Sequence, residues 1–161
     1  MRRLARNSDA DAVYAIYMHD RVIPYLGFDA MSRAAFQPVF DALLATGRFY
    51  VVEADGRLRG FYKALRQEGR AAHVALLGAI AIDPSEQGSG LARAMLEEAI
   101  DALRSEGARR IELTVEADNP RALRFYQKLG FEQEGRLRAA YKRAGEDGDV
   151  DQILMALLLP S

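Results

Sequence analysis

The segment Ile82-Asp83-Pro84-Ser85-Glu86-Gln87-Gly88-Ser89-Gly90-Leu91-Ala92 sets two glycines between an apolar run and the start of a helical repeat. Residues of these types at this spacing can bind an anion. The first amides of a helix have no intrahelical partner, the helix dipole favours negative charge there, and glycine lets the main chain approach without a Cβ in the way. Phosphate oxygens suit such a turn. The segment is not a P-loop, since no Lys followed by Ser or Thr comes after Gly90 at the required spacing, and Gly88-Ser89-Gly90 lacks the third glycine of a dinucleotide fingerprint. Taken alone, the same residues serve equally well as an ordinary strand-to-helix turn.

One further group has useful proton chemistry. His73 is the only titratable side chain between residues 71 and 82, and an ordinary pKa of about 6.5 suits proton removal near neutrality, although a lone strand histidine is more often a structural donor. Asp147, Asp149 and Asp151 could order a cation, but Gly145 and Gly148 around them mark a solvated hairpin, and no metal is expected.

The elements that must position these groups are set by periodicity. Residues 2–6 read as a strand, Asp9 to His19 as a helix, and Tyr25 to Asp29 as a loop. Ser32 caps a second helical stretch, in which Pro38 predicts a break near Gln37 because it lacks the N–H an inner turn needs. Phe49 to Val52 and Leu58 to Leu65 are strands paired antiparallel across Asp55-Gly56. His73 to Ile82, apolar on both faces, is the expected central strand. Leu91, Met95, Leu96, Ala99, Ile100 and Leu103 recur at helical spacing up to Gly107. Ile111, Leu113 and Val115 alternate as a strand, Asn119-Pro120 opens a helix through Leu129, and Gly130 supplies its left-handed cap. Strands over Glu132 to Arg143 and Val150 to Leu159 close the chain. An antiparallel first half feeding a strand-helix-strand crossover and a closing hairpin gives an α/β fold with a mixed sheet and helices on both faces.

At 161 residues, half of them apolar and 28% charged, the chain is expected to fold as one globular domain over residues 1–161. A net charge of −1 with dispersed basic residues argues against nucleic acid as the main partner. The absence of cysteine excludes a disulfide framework and a thiolate nucleophile. With no signal-like or membrane-length apolar run, the expected setting is cytoplasmic, with no membrane partner.

Gln87-x-x-Gly90-x-Ala92 after a buried strand resembles motif A of the GNAT superfamily of acyl-CoA-dependent N-acyltransferases. Val115-Glu116-Ala117-Asp118-Asn119-Pro120-Arg121-Ala122 and Phe125-Tyr126-Gln127-Lys128-Leu129-Gly130-Phe131 resemble its second coenzyme A segment. Nearly the whole chain takes part, with Arg3-x-Ala5 and Asp9-Ala10 like the family's opening and Asp151 to Met155 like its closing strand. His73-Val74-Ala75, Arg110 to Val115 and Val150-Asp151 are similar to bacterial members that acetylate L-amino acids.

The resemblance implies a single GNAT-like domain with a mixed, mostly antiparallel sheet of about seven strands. It implies acetyl-CoA as cosubstrate and transfer to a primary amine of a small molecule by direct attack in a ternary complex. Main-chain groups of Ile80, Ala81 and Ile82 would pair with the pantetheine arm. Amides along Gln87, Gly88, Ser89, Gly90, Leu91 and Ala92 would hold the pyrophosphate, Asn119 would reach the cofactor while also capping its helix, and Tyr126 would protonate the departing thiolate. Many relatives carry a glutamate on the central strand as general base; this chain has none there, leaving His73 and then Glu112 as candidates. An α-amine of pKa about 8 would need little help, being roughly a tenth neutral at pH 7. Residues Tyr25 to Phe28 and Tyr141 are candidate linings for the acceptor, and a homodimer through the closing strands is the assembly to test. The alternatives are acetylation of a protein or peptide amino terminus, and a non-catalytic coenzyme A-binding module.

Overall fold

The computed structural model describes all of residues 1–161. Its elements are β1 (Arg2–Leu4), α1 (Ala10–Tyr17), α2 (Arg33–Ala45), β2 (Phe49–Ala54), β3 (Arg57–Arg66), β4 (Val74–Ile82), α3 (Leu91–Ser105), β5 (Arg110–Glu116), α4 (Pro120–Lys128), β6 (Glu132–Tyr141) and β7 (Val150–Leu158). They form one 7-stranded sheet in the order β1-β2-β3-β4-β5-β7-β6, so β4 is central, as its apolar sequence requires. β4 and β5 run parallel, while β1·β2, β2·β3, β5·β7 and β6·β7 are antiparallel. This is the mixed, mostly antiparallel α/β architecture expected. No helix is long and apolar enough to cross a membrane.

Contacts divide the chain into two units, Met1–Leu65 with Leu77–Ala99, and Arg66–Leu76 with Ile100–Ser161. In the first, Val13, Ile16 and Tyr17 of α1 and Phe36, Phe40 and Leu43 of α2 are buried with Phe49, Val51, Phe61 and Ala81. The rings form a chain of contacts: Tyr17 to Phe36 at 5.1 Å, Phe40 to Phe49 at 6.4 Å and Phe49 to Phe61 at 5.5 Å between centroids. Gly60, one residue before Phe61, points to the opposite face. A Cβ there would lie 2.7 Å from Ile82 Cδ1, 2.9 Å from the Ala81 carbonyl and 3.2 Å from Met95 Sδ. Glycine is thus what lets β3 seat against the end of β4 and the start of α3.

The expected break near Gln37 does not occur: α2 runs unbroken through Pro38. Ser32 caps it, its Oγ accepting from the Ala35 amide at 3.1 Å. Pro38 and Ala34 are both exposed, so the Ala34 carbonyl that loses its i+4 donor can be hydrated. An interior proline costs about 3 kcal/mol, whereas two buried phenylalanines contribute about 1.5–3 kcal/mol each. Packing of Phe36 and Phe40 therefore outweighs the missing bond. The Asp55-Gly56 turn forms as read, both residues having positive φ (54° and 71°).

In the second unit, Ile111, Leu113 and Val115 are buried along β5, with Ile153 and Met155 of β7 opposite Val115 and Leu113. α4 ends in a Schellman motif. The Phe131 amide donates to the Tyr126 carbonyl and the Gly130 amide to that of Gln127, both at 3.0 Å, with Gly130 at φ 100°. The accompanying apolar contact is the packing of the Tyr126 and Phe131 rings at 5.8 Å. β7 lies between β5 and β6, leaving β6 as an exposed edge.

Gly60→Ala should lower stability by about 1–3 kcal/mol, since the clash includes a main-chain carbonyl that cannot rotate away. A urea midpoint equal to that of the parent would show that β3 has room to move.

Candidate active site

Within the first unit, β4 departs from regular alternation at Ala79, whose φ of 47° is left-handed. Such a conformation costs an L-residue roughly 1–2 kcal/mol and shifts the facing of the next residues. Ile80, Ala81 and Ile82 come directly after it and end the strand. The Asp83 amide then donates to the Arg59 carbonyl at 2.7 Å, and the Asp83 carboxylate accepts from the Ser85 amide at 3.0 Å, which holds its pKa below the usual carboxylate range.

Gln87 to Ala92 form the turn into α3. Gly88 and Gly90 have φ of 82° and 87°, and neither has any atom within 4 Å of where a Cβ would sit. Glycine is needed here for its left-handed backbone. The Ser89 amide donates to the Glu86 carbonyl at 3.0 Å, the Leu91 amide to Ser89 Oγ at 3.2 Å and the Ala94 amide to the Gly90 carbonyl at 3.1 Å. The amides of Gly88, Gly90, Ala92 and Arg93 have no hydrogen-bond partner in the chain. Unpaired amides at the positive end of a 15-residue helix are of the kind that can receive an anion such as a phosphate.

Arg59 of β3 buttresses this turn, a role sequence reasoning missed. Its guanidinium lies 3.4 Å from Glu86 Oε1, 3.8 Å from Asp83 Oδ2 and 3.4 Å from Ser85 Oγ. No local signal marks that long-range contact.

Within the second unit, Asn119 caps α4, its Oδ1 accepting from the Ala122 amide at 3.2 Å, and Pro120 occupies the first helical position. Its Nδ2 has no partner in the chain and remains free to donate. Tyr126 is buried, packed edge-on against Phe125 (5.3 Å) and Phe131, and its hydroxyl makes no hydrogen bond within the protein. Burial first, and then the charge of Glu116, push its phenol above the usual range, so it keeps its proton at any physiological pH.

The candidate bases are dispersed. His73 lies in the turn ahead of β4, not on the strand, and its carbonyl accepts from the Arg109 and Arg110 amides at 2.8 and 3.2 Å. β5 begins there, and its length, roughly 20 Å at the rise of an extended chain, separates His73 from Glu116 at the strand's far end. Glu112 is engaged by Arg110 at 2.9 Å, and Arg110 also binds Glu134 through two hydrogen bonds of 2.6 and 3.0 Å. Asp151 is held by Arg136 at 2.5 Å and by the Ala139 amide at 2.8 Å. Of the candidate acceptor linings, Tyr25 and Phe28 are exposed, whereas Leu26 is buried; Tyr141 stacks under the Arg143 guanidinium at 5.1 Å. Glu116, which sequence reasoning did not single out as a base, is buried at the end of β5, and its pKa is pushed up to about 7, chiefly by desolvation.

The structure is of the α/β class, a mixed sheet whose central strand feeds a glycine turn of unpaired amides able to receive a phosphate. The chain belongs to the acetyltransferase (GNAT) family, whose model matches residues 10–131. It is 39% identical over 109 residues to a mycothiol acetyltransferase of Clavibacter michiganensis subsp. michiganensis, covering 67% of this chain and 33% of that protein. It is 42% identical over 78 residues to the [ribosomal protein bS18]-alanine N-acetyltransferase of Escherichia coli K12, covering 48% of this chain and 51% of the relative. The chain thus spans about a third to a half of the length of these curated relatives. The crystal structure of the ribosomal-protein-S18-alanine N-acetyltransferase from Escherichia coli superposes with a TM-score of 0.77 at 28% identity, covering 100% of this chain and 94% of that one.

Gly90→Val should weaken coenzyme A binding at least about tenfold, or 1.4 kcal/mol, because a β-branched residue cannot hold the left-handed turn that presents the amides. Parental affinity by titration calorimetry would place the carrier elsewhere.

Proposed function

We propose that this chain is an N-acetyltransferase that moves the acetyl group of acetyl-CoA onto an α-amine. The observation that carries the reading is the set of unpaired amides at Gly88, Gly90, Ala92 and Arg93 in a chain of GNAT membership. Those amides would hold the pyrophosphate; by the family resemblance, main-chain groups of Ile80 to Ile82 would pair with the pantetheine arm and Asn119 Nδ2 would be a further donor. The bound thioester supplies an activated acetyl carbon. Tyr126 would give its proton to the departing sulfur, a role suited to a phenol that stays protonated and whose hydroxyl has no competing acceptor in the protein.

The acceptor is either the α-amine of a small molecule, such as an L-amino acid, or a peptide amino terminus. The second reading draws support from the similarity to the ribosomal-protein-alanine acetyltransferase. In both cases the nucleophile is an α-amine, for which a pKa of about 8 leaves a usable neutral fraction at pH 7.

Thiol release from acetyl-CoA should be measured against L-amino acids, polyamines and peptides beginning with alanine. The reading expects turnover with an α-amine acceptor; binding of acetyl-CoA without turnover on any of them would leave a coenzyme A-binding module instead. With an active acceptor, Tyr126→Phe should lower kcat by about 10²-fold or more while leaving acetyl-CoA affinity within about twofold. Undiminished kcat with chemistry rate-limiting would remove Tyr126 from its role.

A further inference from the structure

Two carboxylates of the chain are buried, and only one is neutralised. Asp9, 7% exposed, receives both terminal nitrogens of Arg3 at 2.8 Å and the Arg6 amide at 2.7 Å. Glu116, 6% exposed, has no ion pair and no hydrogen bond from any other side chain. Arg143, the nearest cation acting on it, is committed to Asp118 through two bonds of 2.6 and 3.0 Å. Removing an unpaired carboxylate from water is costly, and a fold keeps such a group where it has a use.

The placement of Glu116 points to that use. It is the last residue of β5, its carbonyl accepts from the Asn119 amide at 2.9 Å, and it lies within electrostatic reach of Tyr126 on α4. Strand alternation sets it on the face opposite Ile111, Leu113 and Val115. The charged and titratable groups around it are Tyr126 of α4, Asp118 of the β5–α4 turn and Arg143 beyond β6; its ladder partner on β7, Gln152, is uncharged.

We propose that the Glu116 carboxylate is the general base of the transfer, accepting the proton that the acceptor amine gives up. The assignment rests on the acetyl-transfer reading. As the neutral nitrogen forms its bond to the acetyl carbon, Glu116 takes one N–H proton. The carbon–sulfur bond breaks with its electron pair on sulfur, and Tyr126 delivers the phenol proton there. Glu116 then loses its proton to water and the Tyr126 phenolate takes one from water, which restores both groups and leaves an amide and a thiol. Desolvation, raised further by Asp118 and opposed by Arg143 and the residue's own amide, brings the carboxyl to about 7, where it is both ionisable and basic enough to serve.

The base works only when ionised, so log kcat should rise with pH through a limb near 7. With a peptide beginning with alanine or free L-amino acids as acceptor, Glu116→Gln should lower kcat about 10²- to 10³-fold, abolish that limb and leave the KM for acetyl-CoA within about twofold. Independently of turnover, the Glu116 carboxyl followed by 13C NMR in the parent should titrate near 7. An active parent whose Glu116→Gln variant keeps both kcat and the limb overturns this assignment alone. A carboxyl that titrates in the ordinary glutamate range overturns it as well, whatever the kinetics. A parent that turns over no amine overturns the acetyl-transfer reading and this inference together.

Discussion

On the proposed reading, carrier binding depends on four main-chain N–H groups left without partners at the start of α3. Unpaired amides are tolerated only where water or a ligand can reach them, and the exposure of Gly88, Gly90 and Arg93, with Ala92 half-buried, meets that condition. Keeping them in place needs both glycines at positive φ, a helix long enough to express its dipole, and a stop at the end of β4. Arg59 and Asp83 fix that stop by bonding across to the turn, and Gly60 lets β3 approach closely enough to do so. Side chains enter mainly as supports for a backbone geometry.

In the second unit the candidate groups, Tyr126 and Glu116, are tuned by desolvation. Tyr126 is placed by the Schellman closure at Gly130, which draws Phe131 onto its ring, and by the cap at Asn119. The same burial that positions the phenol raises both it and Glu116. A buried acid beside a buried phenol therefore places two groups of widely separated proton affinity together, the arrangement acid–base chemistry requires.

Legibility of the fold in the sequence tracks the range of the interactions involved. Local chemistry was readable: the Asp55-Gly56 hairpin, the Ser32 and Asn119 caps, the Gly130 cap and the unbroken apolar run of β4 all form where their residues demand. Pro38 does not break α2, because the burial of Phe36 and Phe40, which is not visible in local propensity, overrides it. The glycine turn was visible from residue types alone, but its buttress was not, since Arg59 is far from Asp83 and Glu86 in sequence. Glu116 alternates with apolar residues just as an exposed strand residue would, and nothing in the sequence distinguishes it from Glu112; only tertiary packing buries one and leaves the other paired to Arg110.

The most direct measurement is an amide-resolved NMR titration of the 15N-labelled chain with acetyl-CoA. The backbone amides of Gly88, Gly90, Ala92 and Arg93 should shift together and saturate with one binding constant, as expected for donors closing onto one diphosphate. Saturable binding that leaves those four resonances unmoved, or no binding at all, contradicts the account.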